Sequence, residues 1–148
     1  MVVDLNLCPE ISLTLCVQVY HLASTIYHAL SDLSGVGGMR HEYIRATPNW
    51  WGKGVSWNVF IECEPENEGF WALCIAQVQM FFVFCHDGVL YPCALVCWFE
   101  TYDDHPCPET GMWRVKPDFD QHHNWVCSVI HIDSILRAVH LLPVFRKH

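Results

Sequence analysis

Residues 71–99 read WALCIAQVQMFFVFCHDGVLYPCALVCWF, two apolar runs on either side of His86-Asp87-Gly88. Asp-Gly between apolar runs is a hairpin signal: both residues tolerate positive φ, and the resulting turn matches the twist of strands. The stretch therefore predicts an antiparallel hairpin. In its first arm, residues 71–84, Cys74, Ala76, Val78, Met80, Phe82 and Phe84 alternate onto one face, with Gln77 and Gln79 on the other. In the second arm, residues 89–99, Tyr91, Cys93, Leu95, Cys97 and Phe99 oppose Leu90, Ala94, Val96 and Trp98. Apolar character on both faces marks a central strand. Pro92 has no N–H for a ladder bond and belongs near the strand start or at a bulge.

The same period recurs outward from the hairpin. Ile11, Leu13, Leu15, Val17 and Val19 alternate with Ser12, Thr14, Cys16 and Gln18, which predicts a strand over 11–19. Residues 20–30 fit a continued strand or a short helix. Ser31 to Gly38 holds three glycines in four positions and reads as a loop; it carries neither G-x-G-x-x-G nor G-x-x-x-x-G-K-[ST]. Residues 47–54 form a second, Gly-bounded loop with Trp50 and Trp51. Over 55–63, Trp57, Val59, Ile61 and Cys63 share one strand face. Residues 64–69 make an acidic turn, 101–110 a polar loop, 112–116 a short strand, 117–124 a polar turn and 125–132 another strand. Asp133-Ser134 can cap a short helical turn from Leu136 to His140, stopped by Pro143. The expected fold is mainly β: about six antiparallel strands in a small barrel-like or sandwich domain, with a short C-terminal helical turn. Residues 1–148 form a single domain, with 1–30 an N-terminal strand segment and 31–148 the barrel-like core.

Composition narrows the function classes. The chain has 148 residues, 52% apolar and 16% charged, which excludes disorder. Lys and Arg number 8 against 16 Asp and Glu, a net charge of −8. That balance opposes direct nucleic-acid binding through a groove that neutralises phosphates. Residues 11–30 lack charge but are interrupted by Ser12, Thr14, Gln18, His21, Ser24, Thr25 and His28, too polar for a spanning helix. Asp4 precedes the run and no Lys or Arg does, so no signal peptide is read either. An intracellular protein, nuclear in one reading, with no membrane contact is the expectation.

Nine Cys invite a disulfide or metal framework, but the number is odd and C-x-x-C is absent. Most lie in apolar runs, so reduced thiols packed as small hydrophobes are expected. Cys93 and Cys97, four apart in a strand, would sit ~13 Å from one another, too far to share a zinc ion. His105, Cys107, His122 and Cys127 could converge only from loops, and no metal or other cofactor is read. No G-x-S-x-G elbow and no Cys–His geometry support catalysis, so the chain is read as a non-enzyme. Acidic residues gather at Glu62, Glu64, Glu66 and Glu68 and at Glu100, Asp103, Asp104 and Glu109, either a solvated face or a surface for a basic partner.

Several ordered blocks carry a likeness. They are Ser-Asp-Leu-Ser-Gly-Val-Gly-Gly-Met-Arg (31–40) running into Glu42-Tyr43-Ile44-Arg45-Ala46; Phe81-Phe82-Val83-Phe84; Gly88 to Val96 with Trp98-Phe99; Thr110-Gly111-Met112-Trp113; and Val129-Ile130-His131-Ile132-Asp133 with Arg137-Ala138 and His140 to Val144. Over about residues 17–148 this set resembles the C-terminal region of fungal transposase-like proteins of the Plavaka and related groups. The resemblance implies that a larger upstream part carries a DDE-type nuclease, which this chain is too short to contain. It implies a transposon-derived, truncated tail without catalytic residues, whose partner is the missing transposase portion. Ala29-Leu30 stands where the family tends to read Ala-Pro, and Arg146-Lys147-His148 where it continues past a glycine. Trp50 and Trp51 would then either be apolar surface left uncovered or pack on their own barrel.

A rival reading starts from the apolar strand ending Trp98-Phe99-Glu100, which resembles bromo-adjacent homology modules, small chromatin-binding β-barrels. A reader of basic tails would use Trp98, Trp113 and Glu100 as an aromatic pocket with an acidic rim.

Overall fold

The computed structural model describes residues 17–29, 36–63, 66 and 72–144. Among these described residues ten strands follow one another: β1 (Val17–Tyr20), β2 (Leu22–His28), β3 (Met39–Trp50), β4 (Lys53–Ser56), β5 (Asn58–Glu62), β6 (Leu73–His86), β7 (Val89–Thr101), β8 (Val115–Pro117), β9 (Cys127–His131) and β10 (Ile135–Val139). All pairings are antiparallel. A larger sheet has the order β10-β5-β6-β7-β8, with β1 added to β6 and β9 to β7; a smaller one is β2-β3-β4. The expected strand at 11–19 appears as β1 for its described part; residues 11–16 lie outside the described residues.

The β6–β7 hairpin is the spine, and Asp87 (φ 50°) and Gly88 (φ 76°) make its two-residue turn. Counted from the closing pair His86–Val89, Pro92 falls at a position whose missing N–H points away from β6, and the pairing with β9 begins only at Cys93. Pro92 thus costs no ladder bond. It sits inside the strand without a bulge.

The bulge lies elsewhere. Val78 pairs with Val96 but Met80 pairs with Leu95, so Gln79 is the extra residue. The core face of β6 therefore runs Ala76, Val78, Phe81. Strict alternation had assigned it to Met80, Phe82 and Phe84. Phe84 instead stacks on Tyr91 with ring centroids 5.1 Å apart, and Phe82 lies beside Phe84 at 6.4 Å. The core joins these residues to Ile44 and Ala46 of β3, Val59 and Ile61 of β5, Ala94 and Val96 of β7, Ile130 and Ile135, with Trp57 and Trp98 packed against it.

The chain changes sheets at Trp57, whose N–H donates to the Arg45 carbonyl and whose carbonyl accepts from the Val78 N–H. At Gly38 (φ 77°) a Cβ would stand 2.8 Å from His28 Nε2, so the end of the Gly-rich loop needs glycine. Ala29 N–H donates to the Gly38 carbonyl there.

The expected helical turn at 136–140 is not formed. His131 caps one 3-10 turn, Ile132–Ser134, through its side chain and the Asp133 N–H. The ladder of β10 to Phe60, Val59 and Asn58 then takes the chain into a strand. A single turn of helix offers few bonds against a full ladder and the burial of Ile135.

The sheets form a sandwich-like pair and do not close into a barrel. At this edge no backbone ladder joins β10 to β2 or β3; one side chain from each, Thr25 of β2 and Glu42 of β3, bridges the gap instead. Thr25 Oγ1 donates to the Leu136 carbonyl at 3.0 Å, and the Ala138 N–H donates to Glu42 Oε2 at 2.9 Å. Arg137 lies over both Tyr27 and Phe60 at the same seam. Glu42→Ala, which strands a partly buried N–H, is expected to cost about 1–2 kcal/mol by chemical denaturation, while Glu42→Gln, which keeps an acceptor, stays within about 0.5 kcal/mol of wild type.

Four of the described cysteines are joined in pairs across neighbouring strands, Cys63–Cys74 and Cys97–Cys127. Of the described cysteines only Cys93 and Cys97 are buried. The expectation of reduced core thiols is corrected accordingly: strand register, which local spacing does not encode, sets Cys97 opposite Cys127 and brings Cys63, just past β5, diagonally alongside Cys74, which faces Ile61.

Candidate functional site

The segment 47–54 is a hairpin tip rather than a loop. Trp50 pairs with Lys53, which leaves Trp51 (φ 53°) and Gly52 (φ 81°) as the two-residue turn. Gly suits that geometry; a bulky aromatic residue does not, because its Cβ crowds the neighbouring carbonyl in the left-handed region. Trp51 is nevertheless placed there with 90% of its surface exposed. The side chain of Trp50 lies outside the described residues.

The other predicted residues are Trp98 and Glu100 on β7 and Trp113 just before β8. Trp98 is partly buried against the core; its ring N–H donates to Ser128 Oγ at 2.9 Å, and its carbonyl accepts the Trp125 ring N–H at 2.6 Å. Glu100 faces Lys116 across the ladder and pairs with it at 2.9 Å, which pushes the Lys116 ammonium up. One step further Tyr102 N–H bonds the Arg114 carbonyl. Arg114 pairs with Asp103, whose hydrogen bond pushes the guanidinium up. The exposed ring of Tyr102 already carries two cations, Arg114 at 5.3 Å and Lys116 at 5.4 Å from its centroid. Trp113 is half-buried in the loop before β8.

The acidic residues around 100–109 are thus partly neutralised from within the chain: Glu100 and Asp103 hold internal partners, while Asp104 and Glu109 are exposed. In the other cluster Glu62 and Glu66 are exposed, and Glu64 and Glu68 lie outside the described residues.

Two surface hollows escaped sequence reading. A groove of about 780 Å³ runs along the seam, lined by Ala23, Thr25, Tyr27, Ile132, Ile135 and Arg137 among others. A smaller one of about 300 Å³ is lined by Tyr20, Leu22, Phe82 and Pro92. Neither is lined by Trp98, Glu100 or Trp113. Their walls come from strands far apart in sequence, so only the alternation of β2, visible as an ambiguous segment, hinted at them.

Among the described residues no three or more His, Cys, Asp or Glu gather to hold a metal ion, and His105, Cys107, His122 and Cys127 are accordingly not one ligand set. The Cys107 thiol is pulled down by hydrogen bonding to the Thr110 side chain and to the backbone of Glu109 and Thr110. Burial pushes the Cys93 thiol up.

The turn beside Trp98 is held by Asp120, whose carboxylate accepts from the N–H of His122 at 2.7 Å and of Asn124 at 2.9 Å. These bonds, that from Asn124 foremost, hold the Asp120 carboxyl below its ordinary value. A depressed carboxyl stabilises the fold above its unfolded pKa of about 4 and loses that contribution as pH falls through the lower folded value. The stability difference between wild type and Asp120→Ala, read from urea midpoints, is therefore expected to be present at pH 7 and to shrink at about pH 3.

No helix of the described residues is long and apolar enough to cross a membrane. No family model, curated protein or solved structure matches the chain.

Proposed function

We propose that this chain is a non-catalytic interaction module, derived from the C-terminal region of a transposase-like protein, which docks on a protein partner. The observation that carries the reading is Trp51, a large apolar side chain almost wholly in solvent on a strained hairpin tip. Residues held in sparsely populated backbone conformations concentrate at functional positions. Trp is also enriched among the few residues that dominate binding energy at interfaces. The partner suggested by the sequence likeness is the nuclease part of such a transposase.

The test is co-purification of the chain with a nuclease region from a transposase-like protein of the same group, beside a pull-down with basic histone-like peptides and a DNA gel shift at physiological salt. Capture of the nuclease region, without peptide or DNA binding, supports the module. Peptide binding alone supports the reader of basic tails instead. DNA binding that persists at physiological salt overturns both.

The reader has less behind it. Of its residues, Trp98 is packed against the core with its ring N–H held by Ser128, and Glu100 is already paired with Lys116.

A further inference from the structure

We propose that Cys97 and Cys127 form a dithiol site that is oxidised by a low-molecular-weight disulfide of the glutathione type, with Cys127 as the entry thiol and Cys97 as the thiol that resolves the adduct.

The two residues are direct partners across β7 and β9, with Cα atoms 4.0 Å apart, and they are joined in the structure. Their accessibility is opposite. Cys97 is 5% exposed, whereas Cys127 is exposed at the first residue of β9. A bulky disulfide therefore reaches Cys127 and not Cys97.

The site suits both oxidation states. Cys127 Sγ lies 3.3 Å from the Trp125 carbonyl oxygen, so the free thiol has an acceptor in place when the bridge is open. The strands around the pair are held by bonds that do not involve sulfur. The Trp98 N–H donates to the Val126 carbonyl, the Trp98 ring to Ser128, and the Trp125 ring to the Trp98 carbonyl. Opening the bridge thus leaves the thiols facing one another, and closure is intramolecular. The other described free thiols lack this arrangement: Cys93 is buried, Cys85 is exposed and Cys107 is half-buried, and none of the three belongs to a pair.

The chemistry balances in two exchanges. The Cys127 thiolate attacks one sulfur of glutathione disulfide, forms a mixed disulfide and releases one glutathione thiolate. The Cys97 thiolate then attacks Cys127 Sγ, closes the bridge and releases the second. The protein loses two protons and two electrons, and one glutathione disulfide becomes two glutathione molecules.

The full chain, reduced and then exposed to excess glutathione disulfide, is digested and mapped by mass spectrometry. The expected result is a Cys97–Cys127 linkage with no glutathione left on Cys127, while Cys85 keeps its adduct. In C97A one glutathione stays on Cys127; in C127A Cys97 remains unmodified. Absence of the linkage in wild type, or glutathione on Cys97 in C127A, overturns the proposal. The wild-type linkage needs no variant, so it decides the matter even where C97A does not fold.

Discussion

Phe81→Ala is expected to lower the unfolding free energy by about 3–5 kcal/mol, and Phe82→Ala by about 1–2 kcal/mol. The larger figure is a substantial fraction of the ~5–15 kcal/mol that holds a domain folded, so the Phe81 variant should be at best marginally folded at room temperature. The asymmetry follows from the bulge. Phe81 is 2% exposed and packs in the core, whereas Phe82 stands on the other face beside Phe84. Removing the buried ring leaves a cavity that close-packed neighbours such as Val78 and Ala94 fill only in part. Urea denaturation of the two variants measures both numbers. Equal costs, or a larger cost at Phe82, would mean that β6 runs without its bulge and that its core face is misassigned from Met80 onward.

The same pair of residues shows what sequence could and could not reveal. Period-two alternation finds a strand without knowing its neighbours, so β5, β6, β7 and β9 were legible, and the Asp87-Gly88 turn with them. A bulge is a property of two strands together. Gln79 is extra only with respect to β7, and nothing within residues 73–86 announces it. The β10 strand has the same origin. Asp133-Ser134 is a sound local cap signal, but both residues lie inside a single 3-10 turn capped by His131, after which the partner strand β5 offers a ladder. Alternation also could not foresee that residues 47–54 turn back on themselves, because Trp51-Gly52 lacks the Asn or Asp that usually announces such a turn.

The surroundings of the candidate residues were legible in proportion to how local they are. Trp51 was marked by its Gly-bounded setting, and it is exposed. Trp98 and Glu100 were chosen as chemically suitable types, yet their partners, Ser128 and Lys116, come from strands that only the folded sheet brings alongside. The cysteine pairs fall under the same rule: separations of 11 and 30 residues match no motif, and register alone makes them neighbours. Charge told least, since the net −8 is blind to the internal pairing of Glu100 and Asp103.

Trp51→Asn separates the demands of folding from those of binding, because it is expected to move them in opposite directions. A left-handed backbone costs an ordinary L-residue about 1–2 kcal/mol, and Asn before Gly is among the best sequences for this turn. The substitution should therefore stabilise the isolated chain by about 1 kcal/mol and raise its melting midpoint by a few degrees. At the same time it removes the large, exposed apolar group that Trp51 presents at the tip. On the proposed docking role, loss of a dominant interface anchor costs about 2 kcal/mol or more, so affinity for the transposase-like nuclease region should fall about 30-fold or further. Calorimetric melting of the free chain and titration binding to that region give the two readouts. A residue that lowers stability while it strengthens association is what selection for binding leaves behind. Were Trp51→Asn to destabilise the free chain, the indole would be packing on its own domain, and the case for the tip as a docking element would fall with it.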